Sequence, residues 1–158
     1  MADDDDDMLF SSALPVEAFG AYSGETELEL EGLVPAAAVR LTQDFDVQQS
    51  SLLWNAAVGL AQRWCEQHSA LPAVGGLRVL ELGAGLGLNS ICLAAQGATV
   101  VATEVEPALS ALRRSVARNR ACWEGRGVVI VEELRWGGEE EWPASVAGGG
   151  PFDVVVGA

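Results

Sequence analysis

The stretch Leu80-Glu81-Leu82-Gly83-Ala84-Gly85-Leu86-Gly87-Leu88 constrains this chain more than any other part of it. Residues 77–82 form a short, nearly continuous apolar run, the pattern of a strand buried on both faces. Residues 88–96 stay largely apolar, contain no breaker and stop at Gly97, which suits a helix closed by a glycine. Three glycines at alternate positions between them let the backbone turn sharply and let a ligand approach the main chain. A strand, glycine loop and helix in this order belong to a parallel sheet. The first such loop is expected at the switch point of the strand order, where ligands bind.

The rest of the chain continues the rhythm. Thr99-Val100-Val101-Ala102-Thr103 reads as a second apolar strand, and Pro107 opens a helix that runs to about Arg120. Val128-Val129-Ile130-Val131 is a third strand. A Gly- and Glu-rich stretch with Trp136 and Trp142 leads to a fourth, Phe152-Asp153-Val154-Val155-Val156. Apolar strands alternating with helices predict a parallel sheet covered on both faces. Ahead of it, Thr26-Glu27-Leu28-Glu29-Leu30-Glu31 and Ala38-Val39-Arg40-Leu41-Thr42 alternate polar with apolar, and a turn over residues 32–35 makes them a hairpin. Ser50 or Ser51 is placed to cap a helix to about Gln67, with Leu53, Ala57, Leu60, Ala61 and Trp64 on one stripe.

Composition removes several chemistries. All nine basic residues are arginines, which excludes a P-loop lysine, a pyridoxal Schiff base and a kinase-type lysine. The lone histidine, His68, lies near a helix end, where it reads as a surface residue rather than a catalytic base. Cys65, Cys92 and Cys122 are far apart and lack CxxC spacing, so they predict neither a zinc site nor a disulfide framework; no metal is expected. A net charge of −14 repels phosphate backbones, so no nucleic-acid partner is expected. No apolar run reaches the roughly 18 residues of a membrane span, so no membrane is expected either. Residues 1–25 read as an acidic, disordered leader, with five aspartates in a row at positions 3–7. A cytoplasmic location, with the nucleus as a second, and a monomer complete this reading.

Two acids frame the glycine loop. Glu104 sits seventeen residues after Gly87, at the end of the second strand, where a carboxylate accepts hydrogen bonds from both hydroxyls of a ribose. A dinucleotide loop would place a third glycine at position 88, where this chain has Leu88. Glu81, just before the loop, would repel a pyrophosphate but can face the cationic methionine end of S-adenosylmethionine. A nicotinamide-dependent oxidoreductase is the weaker reading on both counts.

The motif in its setting resembles motif I of methyltransferase family 16, which includes the protein-lysine methyltransferases of the METTL21 type. The resemblance extends over about residues 26–158. It takes in Leu53-Trp54-Asn55-Ala56-Ala57, Gly97-Ala98-Thr99-Val100-Val101-Ala102-Thr103-Glu104, Leu134-Arg135-Trp136-Gly137 and Phe152-Asp153-Val154-Val155-Val156-Gly157-Ala158. Glu104 stands where the family usually has Asp. The resemblance implies that Gly83, Ala84 and Gly85, with Gly87 completing the loop, wrap the methionine and ribose of S-adenosylmethionine. It implies that Glu104 holds the ribose hydroxyls, that Trp136 packs near the adenine, that Trp54 closes the methionine end and that Ala158 lines the pocket with its backbone. For Trp54, core packing and pocket are equally open; for Trp136 the pocket is favoured. Trp142 has no counterpart.

The fold expected is α/β: a Rossmann-like seven-strand methyltransferase fold with only its first four core strands present, preceded by an N-terminal β-hairpin. The function expected is S-adenosylmethionine-dependent methylation of a lysine side chain on a protein substrate, without metal or covalent intermediate; the catalytic residues are unknown. The chain stops where the family continues with a segment bordering the lysine channel, so the fourth strand is expected to be a bare apolar edge. A truncated, non-catalytic module that binds cofactor or partner is the alternative.

Overall fold

A computed structural model of the chain describes residues 24–28, 38–43, 52–66, 71, 73–137 and 142–158. Residues 1–23 of the 1–25 leader, the cap candidates Ser50 and Ser51, and His68 lie outside them, whereas Gly24 and Glu25 belong to a strand.

The elements are β1 (Gly24–Leu28), β2 (Val39–Gln43), α1 (Asn55–Cys65), β3 (Arg78–Leu82), α2 (Leu88–Ala95), β4 (Thr99–Glu104), α3 (Ala108–Arg118), α4 (Arg120–Trp123), β5 (Val128–Glu133), α5 (Ala144–Ala147) and β6 (Val154–Val156). β1 and β2 pair antiparallel, as the alternating pattern predicts. The four later strands form a parallel sheet in the order β5-β4-β3-β6. After β5 the chain returns across β3 and β4 to place β6 on the far side of β3. The strand order therefore reverses at β3, so the glycine loop leaves the sheet at its switch point.

Side-chain alternation along the strands sorts the core. Val79, Val100, Val129 and Val156 point to the face packed by α1 and α2. Ala102 and Val131 continue this face under Leu112 and Val116 of α3. α2 is buried on every side, which fits its Leu, Ile and Ala content. α3 is amphipathic, with Leu109, Leu112 and Val116 inward and Arg113, Arg114 and Arg118 outward.

The opposite face differs from the expectation of a sheet covered on both sides. Leu80, Val101 and Ile130 pack there against Val146 of the four-residue α5 and against Phe152. Val155, on the edge strand β6, is 59% exposed. Among the described residues a single short helix covers this face, because the Gly-rich segment before β6 is too poor in apolar residues to build a longer one. Arg78 pins that segment: it stacks over Phe152 at 3.7 Å and donates to the carbonyls of Ser145 and Gly150.

Two helix boundaries also depart from expectation. α1 begins at Asn55, with Trp54 as its N-cap, so Leu53 precedes the helix instead of lying on its stripe. The helix from Pro107 does not continue unbroken to Arg120, because Asn119 interrupts it. The Asn119 Nδ2 donates to the carbonyls of Arg40 (2.8 Å) and Ser115 (2.9 Å), and its Oδ1 accepts from the Arg40 N–H (2.8 Å). One buried amide thus ends α3 and ties β2 to the main domain.

Candidate functional site

The C-terminal ends of β3, β4 and β6 and the start of α1 enclose a cleft of about 530 Å³. Leu52, Leu53, Trp54 and Ala57 form one side, and Gly83 to Leu86 and Leu88 the floor. Glu104 and Ala158 complete the wall. A second recess of similar volume lies beyond Glu104. It is lined by Gly83, Glu104, Val105, Leu134, Arg135 and Trp136. Gly83 and Glu104 border both, so the two recesses flank one loop and one acid.

Three positive φ angles shape the loop: 64° at Gly83, 54° at Gly85 and 78° at Gly87. At Gly83 a Cβ would come to 3.7 Å from the Trp136 ring, so the absence of a side chain keeps this end of the recess open. Gly87 serves a different purpose. It does not line the cleft; a Cβ there would meet Leu112 Cδ1 at 2.6 Å and Val116 Cγ2 at 3.3 Å. Its bareness lets the loop and the start of α2 press against α3.

The loop's amides are mostly spoken for. Ala84 N–H donates to the Thr103 carbonyl (2.9 Å) and Gly87 N–H to the Ala84 carbonyl (2.8 Å). Gly85 N–H donates to Glu104 Oε1 at 3.3 Å. The free N–H groups that would cradle a phosphate are therefore not available at these positions. No basic side chain lines the cleft, and Arg135 in the second recess is paired with Glu133 at 3.0 Å. The donor set suits a nucleoside with a cationic tail and does not suit a pyrophosphate.

Glu104 ends β4 with its carboxylate on the cleft wall. Oε2 accepts from the Val105 N–H at 2.8 Å, which together with Gly85 fixes the group from two sides. A carboxylate has about four acceptor positions, so two remain for hydroxyls.

Glu81, expected to face the ligand directly, lies behind the loop. It is 2% exposed and lines neither recess. Its Oε2 accepts from the Ser90 hydroxyl in the first turn of α2. Burial pushes its carboxyl up to about 7, only partly offset by hydrogen bonds from Ser90 and Asn89, and the charge of Glu104 adds to the rise.

The two tryptophans are both open. Trp54 is 53% exposed and stands over the cleft, which removes the core reading for it. Trp136 is 74% exposed beside Gly83. Trp142 is also exposed and lines neither recess.

Several contributors escaped the sequence reading. Gln43 is buried, and its Oε1 accepts from the Leu53 N–H at 2.8 Å, holding the segment that carries Trp54 in place. The signal was present: the period of β2 puts Val39, Leu41 and Gln43 on the inner face, where an amide must find a partner. Leu52, Ala57, Leu86, Val105 and Leu134 are apolar lining without a chemical signature.

Residues 34–158 match the family model described as lysine methyltransferase. The chain is 38% identical over 122 residues to a protein N-lysine methyltransferase, METTL21A, of Danio rerio, covering 76% of this chain and 52% of that one. It is 28% identical over 155 residues to the EEF1A lysine methyltransferase 3 of Xenopus tropicalis, covering 96% and 64%. It is 29% identical over 136 residues to the protein-lysine methyltransferase METTL21E of Mus musculus, covering 85% and 54%. The chain thus spans about half to two thirds of the length of these relatives. Its glycine loop, its acid at the end of β4 and its parallel sheet all fall within the matched residues, and the chain belongs to the lysine methyltransferase family.

Proposed function

We propose that this chain is the S-adenosylmethionine-binding part of an enzyme that methylates lysine side chains on a protein substrate. The observation that carries the reading is the make-up of the cleft at the switch point. Its wall holds an anchored carboxylate and the Trp54 ring, the Ala84, Gly85 and Gly87 amides are internally bonded, and no basic side chain lines it among the described residues. That combination favours a ribose and a positive charge over phosphate. The substrate class rests on the similar proteins, whose names describe lysine methyltransferases.

S-adenosylmethionine, when bound, supplies a methyl group activated by a sulfonium, which an uncharged lysine amine can take without metal or covalent intermediate. The work left to the protein is positioning. Glu104 accepts the ribose hydroxyls on its two remaining lone-pair sites. Gly83, Ala84 and Gly85 leave room for the methionine and ribose, Trp136 offers its face to the adenine, and Trp54 with the Ala158 backbone closes the methionine end. No described helix is long and apolar enough to cross a membrane. Three buried free thiols, Cys65, Cys92 and Cys122, support a reducing compartment, the cytoplasm with the nucleus as a second.

Calorimetric titration of S-adenosylmethionine, with circular dichroism to establish folding, tests the reading. Saturable binding to the folded chain is the expected result. A folded chain that binds NAD and not S-adenosylmethionine would sink it. Incubation with labelled cofactor and a lysine-containing protein extract then separates methyl transfer from binding without turnover.

A further inference from the structure

Glu81 presents a carboxyl in a place where a charge is hard to keep. It stands next to last in β3, with its side chain on the α2 face and 2% exposed. From α2, the Ser90 hydroxyl and the Asn89 amide reach it, and the Cys92 thiol is near enough to feel its charge. From β4, Thr103 donates its hydroxyl to the Glu81 carbonyl at 2.7 Å, and the Glu104 carboxylate adds a like charge. From β6 its register neighbour is the apolar Val156. No ion pair reaches it among the described residues. A buried carboxylate without a cation is unstable relative to its protonated form. Beside it, Asn89 Oδ1 is buried without a donor among the described residues.

Only the loop separates this carboxyl from the cleft: Gly83 and Ala84, two and three residues further on, are cleft lining. A positive charge placed on the far side of the loop would supply the stabilisation that the ionised form lacks. We infer that Glu81 couples cofactor charge to protonation: binding of a sulfonium nucleoside in the cleft expels a proton from its carboxyl, and binding of the uncharged thioether does so less. The inference rests on the reading of the cleft as an S-adenosylmethionine site. It makes Glu81 a positioning residue that acts through the loop. It also gives the site a means of telling S-adenosylmethionine from S-adenosylhomocysteine, which differ by one methyl and one charge.

Calorimetry of both ligands, in two buffers of different ionisation enthalpy near pH 7, counts the protons released. Wild type is expected to release a substantial fraction of a proton with S-adenosylmethionine and less with S-adenosylhomocysteine. Glu81→Gln, which keeps the shape and an acceptor for Ser90, should lose that difference, and any titration of the ligand's own amine is common to both proteins. If the ligand lowers the carboxyl's pKa by one unit, the preference for S-adenosylmethionine should grow about fivefold between pH 6 and pH 8 in wild type and stay flat in the variant. Equal proton release with the two ligands, read on wild type alone if the variant does not fold, overturns this inference and leaves the cofactor site standing. No binding of either ligand to the folded wild type overturns both.

Discussion

The two sides of the cleft are built on opposite terms. The side made by the β3–α2 loop and Glu104 is internally bonded: Ala84, Gly85 and Gly87 all donate to acceptors of the chain, and Glu104 is held from two amides. The side made by Trp54 over the cleft and Trp136 in the adjoining recess is open, with 53% and 74% of each residue exposed. The bonded side has its geometry before a ligand arrives and loses little entropy on binding. The open side has apolar surface still to bury. Selectivity should therefore reside in the loop and its acids, and added affinity in the tryptophans. Substitutions on the bonded side should disturb folding, its pH dependence or the ribose contact, whereas those on the open side should change binding alone.

The sharpest way to break this contrast is Gly87→Ala. A left-handed φ of 78° costs a side chain roughly 1–2 kcal/mol, and overpacking against Leu112 and Val116 adds about 1–3 kcal/mol. A loss near 3 kcal/mol is expected from urea unfolding. Full stability would show that α2 and α3 are not seated as described.

Glu81→Gln tests the same side with the opposite sign. Its carboxyl, near 4.5 in the unfolded chain and about 7 when folded, makes folding take up a proton between those values. The stability it confers is complete below about pH 4.5 and lost as pH rises through 7, a fall of about 3 kcal/mol. The glutamine variant should flatten that slope and melt higher than wild type at pH 8. A wild-type stability that does not fall over this window would place the carboxyl in water.

The strand–loop–helix core was legible because its signals are local: apolar runs, glycines at fixed offsets and an acid at the end of the next strand. Gly83, Gly85 and Glu104 could be placed together on that basis; Ala84, Trp54 and Ala158 were implied by the family resemblance, and all six line the first recess. Glu81 and Gly87 were read as part of the same surface, and adjacency misled there. Strand alternation turns the Glu81 side chain toward α2, and a helix distant in sequence, α3, decides the use of Gly87. The end of α3 was missed for a similar reason, since Asn119 is claimed by Arg40 of β2, 79 residues away. A period-two or period-3.6 pattern carries no trace of such a partner.

Glu104→Ala comes next in size. It removes a charged acceptor that ribose hydroxyls would use, a loss of about 1.5–3 kcal/mol, or roughly 10- to 100-fold in S-adenosylmethionine affinity. Stability should fall by less, because the Gly85 and Val105 amides are near the surface and can turn to water. Glu104→Asp keeps the charge one methylene shorter and should retain most of the binding. An alanine variant that binds as wild type does would mean that the ribose is held elsewhere.

Trp136→Ala carries the smallest expected effect and isolates the open side. The ring stands near Gly83 and is mostly in water, so its removal leaves no cavity. The melting temperature should move by less than about 2 °C, the shift of a fraction of a kcal/mol in a chain of this size. Stacking on an adenine contributes about 1 kcal/mol, so S-adenosylmethionine should bind about fivefold more weakly. Glu104→Ala in the same background should then cost what it costs alone, since one contact is to the base and the other to the ribose. A clear drop in melting temperature with unchanged affinity would instead make Trp136 part of the packing. The contrast between a bonded and an open side would then reduce to Trp54 alone, and the adenine would have to be sought against Val105 and Leu134 in the second recess.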